Sequence, residues 1–317
     1  MPSETGFLHE REDFRALLDT VSLAEKIDDP ILVEKDYWIM HALYGLDQLG
    51  LAFQLKGGTS LSKGFGIIHR FSEDIDIKIE PFDGIDVDTN PSHIKPAHIK
   101  TREKFFDALR EKIAIPGIVT VERDRDFDDV YLRNAGIRLR YKSFYGLKEG
   151  LKDGILLEAG FSKTCPNQPV VISSWAHNFA VQRAVPCRDN RAPKVSCYNP
   201  EYTLVEKLQT ITRKFRRFNE TGKMSSNFLR HYYDVAQLLD VDRVQKFIGT
   251  DEYTGHKRQW FRNENTDLQA SDAFTLKDEN TRKLFAAEYR KTAALYYRGQ
   301  VPFETILERI AKDLPRL

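Results

Sequence analysis

The sequence has few cysteines and no long apolar segment. Its three cysteines, Cys165, Cys187 and Cys197, form no Cys-x-x-Cys arrangement. The pattern therefore favours neither a disulfide framework nor a cysteine-rich zinc site. The first residues run into charged sequence without the apolar core of a signal peptide, and no apolar run further along would span a bilayer. We therefore expect a protein of the reducing cytoplasm, without a membrane span.

The sequence also lacks an excess of charge of either sign. Lys and Arg number 48 and Asp and Glu number 47, which gives a net charge of +1. This balance argues against a strongly basic scaffold protein. It does not exclude an RNA substrate, because RNA binding requires only a local patch of Lys and Arg. The length of 317 residues is enough for a well-buried core and favours two packed lobes.

Hydrophobic periodicity divides the chain into two parts, with a boundary near residue 198. The first part mixes strand and helix patterns, which predicts a mixed sheet with helices. Strands are predicted at 51–56, 73–80, 117–122, 135–142 and 154–161, and helices at 10–26, from Asp29-Pro30 onward, at 59–68 and at 94–114. After residue 199 the patterns are helical, at 201–216, 226–239, near 244, 279–297 and 303–314. The expected fold class is therefore α/β (α+β).

The main chemical signal is the run Leu-Lys-Gly-Gly-Thr-Ser-Leu-Ser-Lys at 55–63. A predicted strand leads into the turn formed by Gly57 and Gly58, and a helical pattern resumes at Thr59. Glycines after a strand let backbone N–H groups approach a polyphosphate, and the start of the next helix adds its positive dipole end. The hydroxyls of Thr59 and Ser60 can add donors. The run therefore predicts a phosphate-binding turn.

Two carboxylates follow on the next predicted strand, which alternates so that its isoleucines face the core and Asp74 and Asp76 share the solvated face. At ~5 Å and an effective dielectric of ~20 the two charges would repel by roughly 3 kcal/mol, which a divalent cation would remove. Magnesium prefers carboxylate oxygens together with substrate phosphates. Glu158, after an apolar strand, is the candidate third ligand. Either motif alone is usually structural, but their succession favours a metal-dependent phosphate site.

The run 53–79, with Glu-Lys-Asp-Tyr-Trp at 34–38 before it, resembles the AbiEii/AbiGii-type nucleotidyltransferase toxins, which include the MenT-like enzymes. The resemblance continues more loosely through 200–207 and 231–235. It implies a nucleotidyltransferase domain of the DNA polymerase β superfamily at 1–198, with a mixed sheet. It also implies an α-helical domain at 199–317 that closes the nucleotide cleft.

The family pattern assigns roles in the first domain residue by residue. The turn Gly57–Ser60 matches the nucleotide-phosphate motif, and Asp74 and Asp76 match the metal-binding aspartates. Ser72 matches a small hydroxyl residue that is a regulatory phosphorylation point in some relatives. Many polymerase β-like enzymes have a Gly-Ser pair and a third aspartate, whereas this chain offers Gly-Gly-Thr-Ser and Glu158.

In the second domain, Lys207 matches a lysine that contacts the nucleotide phosphates and Asp234 an acid important for activity. The two could simply pair on adjacent helices, or Asp234 could orient Lys207 to neutralise the leaving pyrophosphate. Lys63 could also bind phosphate or be a solvated lysine. Lys35 and Asp36 could form a surface pair, whereas the family pattern implies that their helix buttresses the glycine turn.

The resemblance implies a magnesium-dependent toxin of a type IV-like toxin–antitoxin system, associated with phage defence, that transfers a nucleoside monophosphate from an NTP to an acceptor hydroxyl. The implied acceptor is RNA, with the 3′ end of tRNA leading, and a cognate antitoxin is a possible partner of this expected monomer. Basic residues at 213–217, interleaved with Phe215 and Phe218, could bind RNA or form a solvated helix end. A protein or small-molecule acceptor, and a nucleotide-binding growth inhibitor without turnover, remain as alternatives.

Overall fold

The protein was analysed as a computed structural model that describes residues 6–146, 151–161, 165–225, 227–262 and 264–317. The chain divides into two compact units. Unit 1 consists of Met1–Gly64 and Phe71–Tyr198, and unit 2 of Phe65–Arg70 and Asn199–Leu317. The short segment Phe65–Arg70 therefore groups with the helical part of the chain, although the sequence places it between the two motifs of the first part.

Unit 1 contains a seven-stranded mixed sheet in the order β3-β4-β5-β2-β1-β7-β6. The strands are β1 Phe53–Lys56, β2 Asp74–Ile79, β3 Ile118–Asp124, β4 Asn134–Tyr141, β5 Ile155–Gly160, β6 Asn167–Ile172 and β7 Ala192–Tyr198. The β2–β5 and β1–β7 pairs are parallel, and the other neighbours are antiparallel. The expected mixed α/β fold is confirmed.

The helices of unit 1 are α1 Phe14–Glu25, α2 Pro30–Gln48, α3 Gly57–Thr59, α4 Pro96–Lys112 and α5 Trp175–Gln182, and a wider helical turn, Ser60–Gly64, continues α3. The predicted start of α2 is confirmed, since the Asp29 side chain accepts from the Ile31 N–H at 3.1 Å and Pro30 takes the first helical position. Most of α2 is buried, because it packs against α1, α5 and the sheet. It therefore supports the central strands from one side.

Unit 2 is helical in the part of the chain described. Its helices are α6 Pro200–Thr221, α7 Arg230–Leu239, α8 Asp242–Phe247, α9 Asp251–Trp260, α10 Asp272–Thr275, α11 Glu279–Arg290 and α12 Phe303–Asp313. Helix α6 is longer than predicted and ends where Gly222 adopts a left-handed conformation with φ of 66°. The predicted start of the next helix at Ser226 lies outside the described residues. In those residues no helix is both long and apolar enough to cross a membrane.

Two sequence predictions about unit 1 were wrong, and two strands were missed. The helical pattern after the glycine turn ends at Gly64, not at Ile68. The second face of β2 is not solvated, because Asp74 and Lys78 are buried and only Asp76 is partly exposed. Strands β6 and β7 were missed, since their short polar-rich segments give no clear alternation.

Candidate active site

The glycine turn lies directly against the first acidic strand. Gly57 has a φ of 71°, which glycine adopts without strain, and it follows Lys56, whose register partner on β2 is Asp76. A Cβ atom at Gly57 would lie only 2.4 Å from Oδ2 of Asp76. Glycine is therefore required both by the backbone conformation and by the close approach of the carboxylate.

The two hydroxyls of the turn face the protein interior. Thr59 is buried, and its hydroxyl donates to the backbone oxygen of Asp74 at 2.6 Å, which ties the turn to β2. Ser60 is fully buried beside the thiol of Cys197. In this conformation neither hydroxyl is directed at an open phosphate site. The backbone N–H groups at the start of α3 remain the better candidates, because the first N–H groups of a helix have no acceptor within it.

Three carboxylates meet on one face of the sheet. Asp76 and Glu158 are direct register partners across the parallel β2–β5 pair, and Asp74 lies two residues earlier on the same face of β2. Burial, reinforced by the charges of Asp76 and Asp74, raises the pKa of Glu158 to about 8. The charged form of Glu158 is therefore disfavoured beside the two aspartates, and a bound cation would stabilise it.

A lysine ammonium lies at Asp74 in the structure. Nζ of Lys152 is 2.8 Å from both carboxylate oxygens of Asp74, and the Lys152 N–H donates to Glu73 at 2.8 Å. Sequence reasoning missed Lys152, because it is distant in the chain and lies in a polar stretch without a motif. Ser72, the predicted regulatory serine, is partly exposed just before Glu73. The contact with Lys152 indicates that Asp74 binds a positive charge readily.

An open pocket of about 280 Å³ lies beside these carboxylates. It is lined by Lys56, Asp76, Asp126, Phe127, Asp128, Asp129, Asn134 and Glu158. The segment Asp126–Asp129 lies between the predicted strands at 117–122 and 135–142 and carries no motif that marks it as part of a site. Part of its charge is balanced, since Arg123 binds Asp128 at 2.8 Å and Arg133 binds Asp129 at 2.7 Å. The pocket is still predominantly acidic and suits a cation-dependent site.

Helix α2 supports the segment after the glycine turn and the start of β2 through buried ion pairs. Lys35 binds Glu73 at 2.9 Å, and Asp36 binds Lys63 at 2.7 Å. Lys35 and Asp36 are each only 2% exposed, which excludes a surface pair and agrees with the supporting role that the family pattern implies for this helix. The interpretation of Lys63 as a solvated lysine was wrong, because its ammonium lies between Asp36 and the ring of Trp175. This pairing favours a supporting role for Lys63 over direct phosphate binding.

In unit 2, Asp234 is fully buried and contacts two cations. Arg70 donates from Nε to Oδ1 at 2.6 Å and from Nη2 to Oδ2 at 2.7 Å, a bidentate arrangement. Nζ of Lys207 lies 2.8 Å from Oδ2. Burial acts to raise the pKa of Asp234, but Arg70 and Lys207 outweigh it and hold this pKa far below its usual range. The expected pairing of Asp234 with Lys207 is present. Arg70 was missed as a partner, and its contact explains why Phe65–Arg70 groups with the helices.

A group of basic side chains surrounds the start of α7 and the middle of α6. Lys214 is surrounded by other cations, and burial together with Arg230 and Arg213 lowers its pKa to about 8. Burial and the charges of Lys207 and Lys214 also lower the pKa of His231, which keeps this ring neutral. Because nearby cations repel one another, an anion bound at this basic cluster would be stabilised.

The aromatic residues of this region do not form an open stacking surface. Phe215 and Phe218 both pack on Phe285, with ring centroids 6.1 and 5.3 Å apart. Arg216 is bound to Glu264 at 2.8 Å. Phe215 therefore belongs to the core of unit 2 and Phe218 packs at its edge, which favours a packing role for both rings over contact with RNA.

A glycine turn packed against a strand with two aspartates, and a third carboxylate in register beside them, is the arrangement of a nucleotidyltransferase. The comparison with protein families agrees. The chain belongs to the family described as "Nucleotidyl transferase AbiEii toxin, Type IV TA system", which matches residues 39–309. The expected family membership is thus confirmed over most of the chain.

Among solved structures, the chain is similar to an antigenic nucleotidyltransferase-like protein from Paracoccidioides brasiliensis. The similarity covers 75% of this chain and 91% of that chain, with 14% sequence identity and a TM-score of 0.36. A comparison with curated proteins found no significant match.

Proposed function

We propose that this nucleotidyltransferase toxin is magnesium-dependent and transfers a nucleoside monophosphate from an NTP to the 3′-terminal hydroxyl of a tRNA, with release of pyrophosphate. The observation that supports metal dependence most directly is the register pairing of Asp76 with Glu158 beside Asp74. Three carboxylates at such close quarters are costly unless a cation binds them.

Asp74, Asp76 and Glu158 would hold the magnesium. The bound metal would neutralise phosphate charge and increase the acidity of the acceptor hydroxyl. The three carboxylates fit this role. Burial and the neighbouring aspartates raise the pKa of Glu158, and a lysine ammonium already binds Asp74, so a cation at this position would be stabilised. Lys152 would exchange its contact with Asp74 for one with the triphosphate once the carboxylates bind metal.

The chain's own groups would position the nucleotide. The backbone of Gly57 and Gly58 would approach its phosphates, with Thr59 holding the turn on β2. Lys207 would contact the phosphates and stabilise the charge that develops on pyrophosphate. Asp234 would orient Lys207, and Arg70 would keep Asp234 in place through its bidentate contact.

The basic cluster supports a polyanionic acceptor. Arg213 and Arg217 are exposed on α6, near the half-buried Lys214. RNA phosphates would reduce the repulsion among these cations. The cations would in turn displace counterions from the RNA, which favours binding. We propose that this surface binds the acceptor RNA, and that toxicity in cells is controlled by a cognate antitoxin.

The test is to incubate the purified protein with each α-labelled NTP and total cellular RNA, with magnesium or with chelator, and to resolve the products on a denaturing gel. The proposal requires label in a tRNA-sized band, from one preferred NTP and only with magnesium. Asp76→Asn should abolish the band, whereas Asp83→Asn, a matched change at an exposed site, should not. Label on protein or on no product at all would contradict the RNA acceptor.

The role of the basic cluster can be tested separately in the same assay. Charge reversal by Arg213→Glu with Arg217→Glu should raise the KM for RNA at least tenfold and leave the KM for NTP unchanged. Arg258→Glu with Lys283→Glu, on other helices of unit 2, is the matched control. An unchanged KM for RNA would remove the cluster from acceptor binding without affecting the metal site.

A further inference from the structure

A second group of metal-ligating side chains lies between β2 and α4, outside the proposed nucleotidyl-transfer site. Asp88, His93 and His98 each offer a ligand atom, and these atoms lie within 4.8 Å of one another. Nδ1 of His93 is 2.6 Å and Nδ1 of His98 is 2.5 Å from the same oxygen, Oδ2 of Asp88. Two imidazole nitrogens and one carboxylate oxygen therefore converge on a single point.

The loop that carries Asp88 and His93 is held in shape by a buried arginine. Arg102 is fully buried, and its guanidinium donates to the backbone oxygens of Asp88, Asn90 and His93 at 2.7, 2.6 and 2.9 Å. A fourth bond, of 2.8 Å, reaches the backbone oxygen of Tyr131. The three contacts with the loop fix it on α4 before any ligand binds, which lowers the entropic cost of binding.

The side chains themselves are also oriented. Nη2 of Arg102 lies 4.0 Å from Oδ1 of Asp88, so the other carboxylate oxygen, Oδ2, faces the two rings. The Asn90 side chain lies 3.1 Å from Nε2 of His93, which places partners at both nitrogens of that ring. His93 and His98 remain partly exposed, with side-chain exposures of 47% and 34%, so an ion can reach them from solvent.

We propose that Asp88, His93 and His98 bind a divalent transition-metal ion of the zinc class. Two imidazoles with one carboxylate favour zinc and its neighbours over magnesium or calcium, which prefer sets made of oxygen atoms. Three protein ligands leave a fourth position of a tetrahedral zinc for water or another ligand. Without metal, the same residues form Asp–His hydrogen bonds, so the site exists in a metal-free and a metal-bound form.

The bound ion would join the loop to the first turn of α4. His98 lies in that turn, whereas Asp88 and His93 precede the helix. The Arg102 contact with Tyr131 links the same loop to the segment that follows the acidic pocket residues Asp126–Asp129. Metal binding would therefore restrict the motion of the loop before α4 and of the segment at Tyr131. The ion would take no part in nucleotidyl transfer.

The test uses the full chain, stripped with chelator and titrated with Zn²⁺ alone in competition with a chromophoric chelator. Each titration is repeated in an Asp76→Asn background, so that zinc bound by the carboxylates of the sheet is counted separately. The parent should bind one equivalent that persists in this background. His93→Gln and His98→Gln should each weaken that equivalent at least tenfold, whereas Asp86→Asn, an exposed matched change, should leave it intact.

Equal zinc stoichiometry and affinity in the parent, His93→Gln and His98→Gln would overturn the proposal. Circular dichroism and the melting temperature in chelator serve to show that the variants are folded. Should they not fold, Co²⁺ titrated into the parent gives an independent answer. A visible ligand-field spectrum with imidazole nitrogen ligation, displaced by one equivalent of Zn²⁺, supports the site, and its absence contradicts it.

Discussion

The two units place carboxylates in opposite electrostatic situations. In unit 1, Asp76 and Glu158 lie side by side, and the pKa of Glu158 is raised to about 8 by burial and by its acidic neighbours. In unit 2, Asp234 is contacted by Arg70 and Lys207, and its pKa is held far below its usual range. The first arrangement is poorly stabilised until a cation binds, whereas the second is complete within the protein. This difference separates carboxylates that a bound cation would stabilise from a carboxylate whose charge is already balanced by the side chains that it positions.

The largest effect on activity should come from Asp76→Asn, in the carboxylate group of unit 1. Removal of one metal ligand should lower the rate of transfer by about a thousandfold, which corresponds to about 4 kcal/mol of transition-state stabilisation. The melting temperature without metal should stay constant or rise, because repulsion with Glu158 is removed. Rates with labelled NTP and thermal unfolding in chelator measure both effects. A variant that loses both activity and stability would show that Asp76 is structural.

Asp234→Asn should show the opposite pattern, with loss of stability. It leaves Arg70 and Lys207 buried without their carboxylate, and breaking such a buried pair costs about 3–5 kcal/mol. Urea unfolding followed by fluorescence measures the change. Glu279→Gln, which breaks an exposed pair with Lys283, should cost less than about 0.5 kcal/mol. A loss below about 1 kcal/mol in Asp234→Asn would contradict the contrast between the two units.

Gly57→Ala should impair activity more than its backbone cost explains. Gly57 and Gly50 have similar positive φ values, of 71° and 68°, but only a Cβ at Gly57 would meet the Asp76 carboxylate. Both substitutions should cost about 1 kcal/mol in backbone strain. The Gly57 variant should in addition lose at least tenfold in the rate of transfer. Parallel rate and unfolding measurements on the two variants test this, and equal rates would exclude a functional approach of the turn to Asp76.

The smallest effect is the pH dependence that Glu158 imposes on the metal-free protein. Its folded pKa of about 8 lies above the ordinary value of 4.5, so the folded state binds the proton more tightly than the unfolded state. Glu158 therefore stabilises the fold most below pH 4.5, and this contribution is lost as pH rises to about 8. Glu158→Gln should reduce the loss of stability between pH 5 and 6 by on the order of 1 kcal/mol. An identical pH profile in the variant would contradict the raised pKa.

Local signals in the sequence predicted a large part of the site. The Gly57-Gly58 turn, the alternation around Asp74 and Asp76, and the cap at Asp29 depend on neighbouring residues, and each lies where its pattern indicated. Glu158, which the sequence offered as the third ligand because it follows an apolar run, lies in register with Asp76.

The partners of these residues could not be predicted in the same way. Lys152 and Asp74, or Arg70 and Asp234, are brought together only by the tertiary fold. The burial of Lys63 was misjudged for the same reason, since its contacts with Asp36 and Trp175 form only when α2 and α5 are packed in unit 1. The charges of these side chains are balanced by residues that are distant in the sequence, which a periodic pattern of neighbouring residues does not identify.

The most direct test of the central claim is the dependence of nucleotidyl transfer on magnesium concentration in the parent and in Glu158→Gln. If Asp74, Asp76 and Glu158 hold the metal, transfer stops in chelator and the half-saturating magnesium concentration rises at least tenfold in Glu158→Gln. Transfer that continues in chelator, or an unchanged magnesium dependence in the variant, would contradict the assignment of the carboxylates to a metal site.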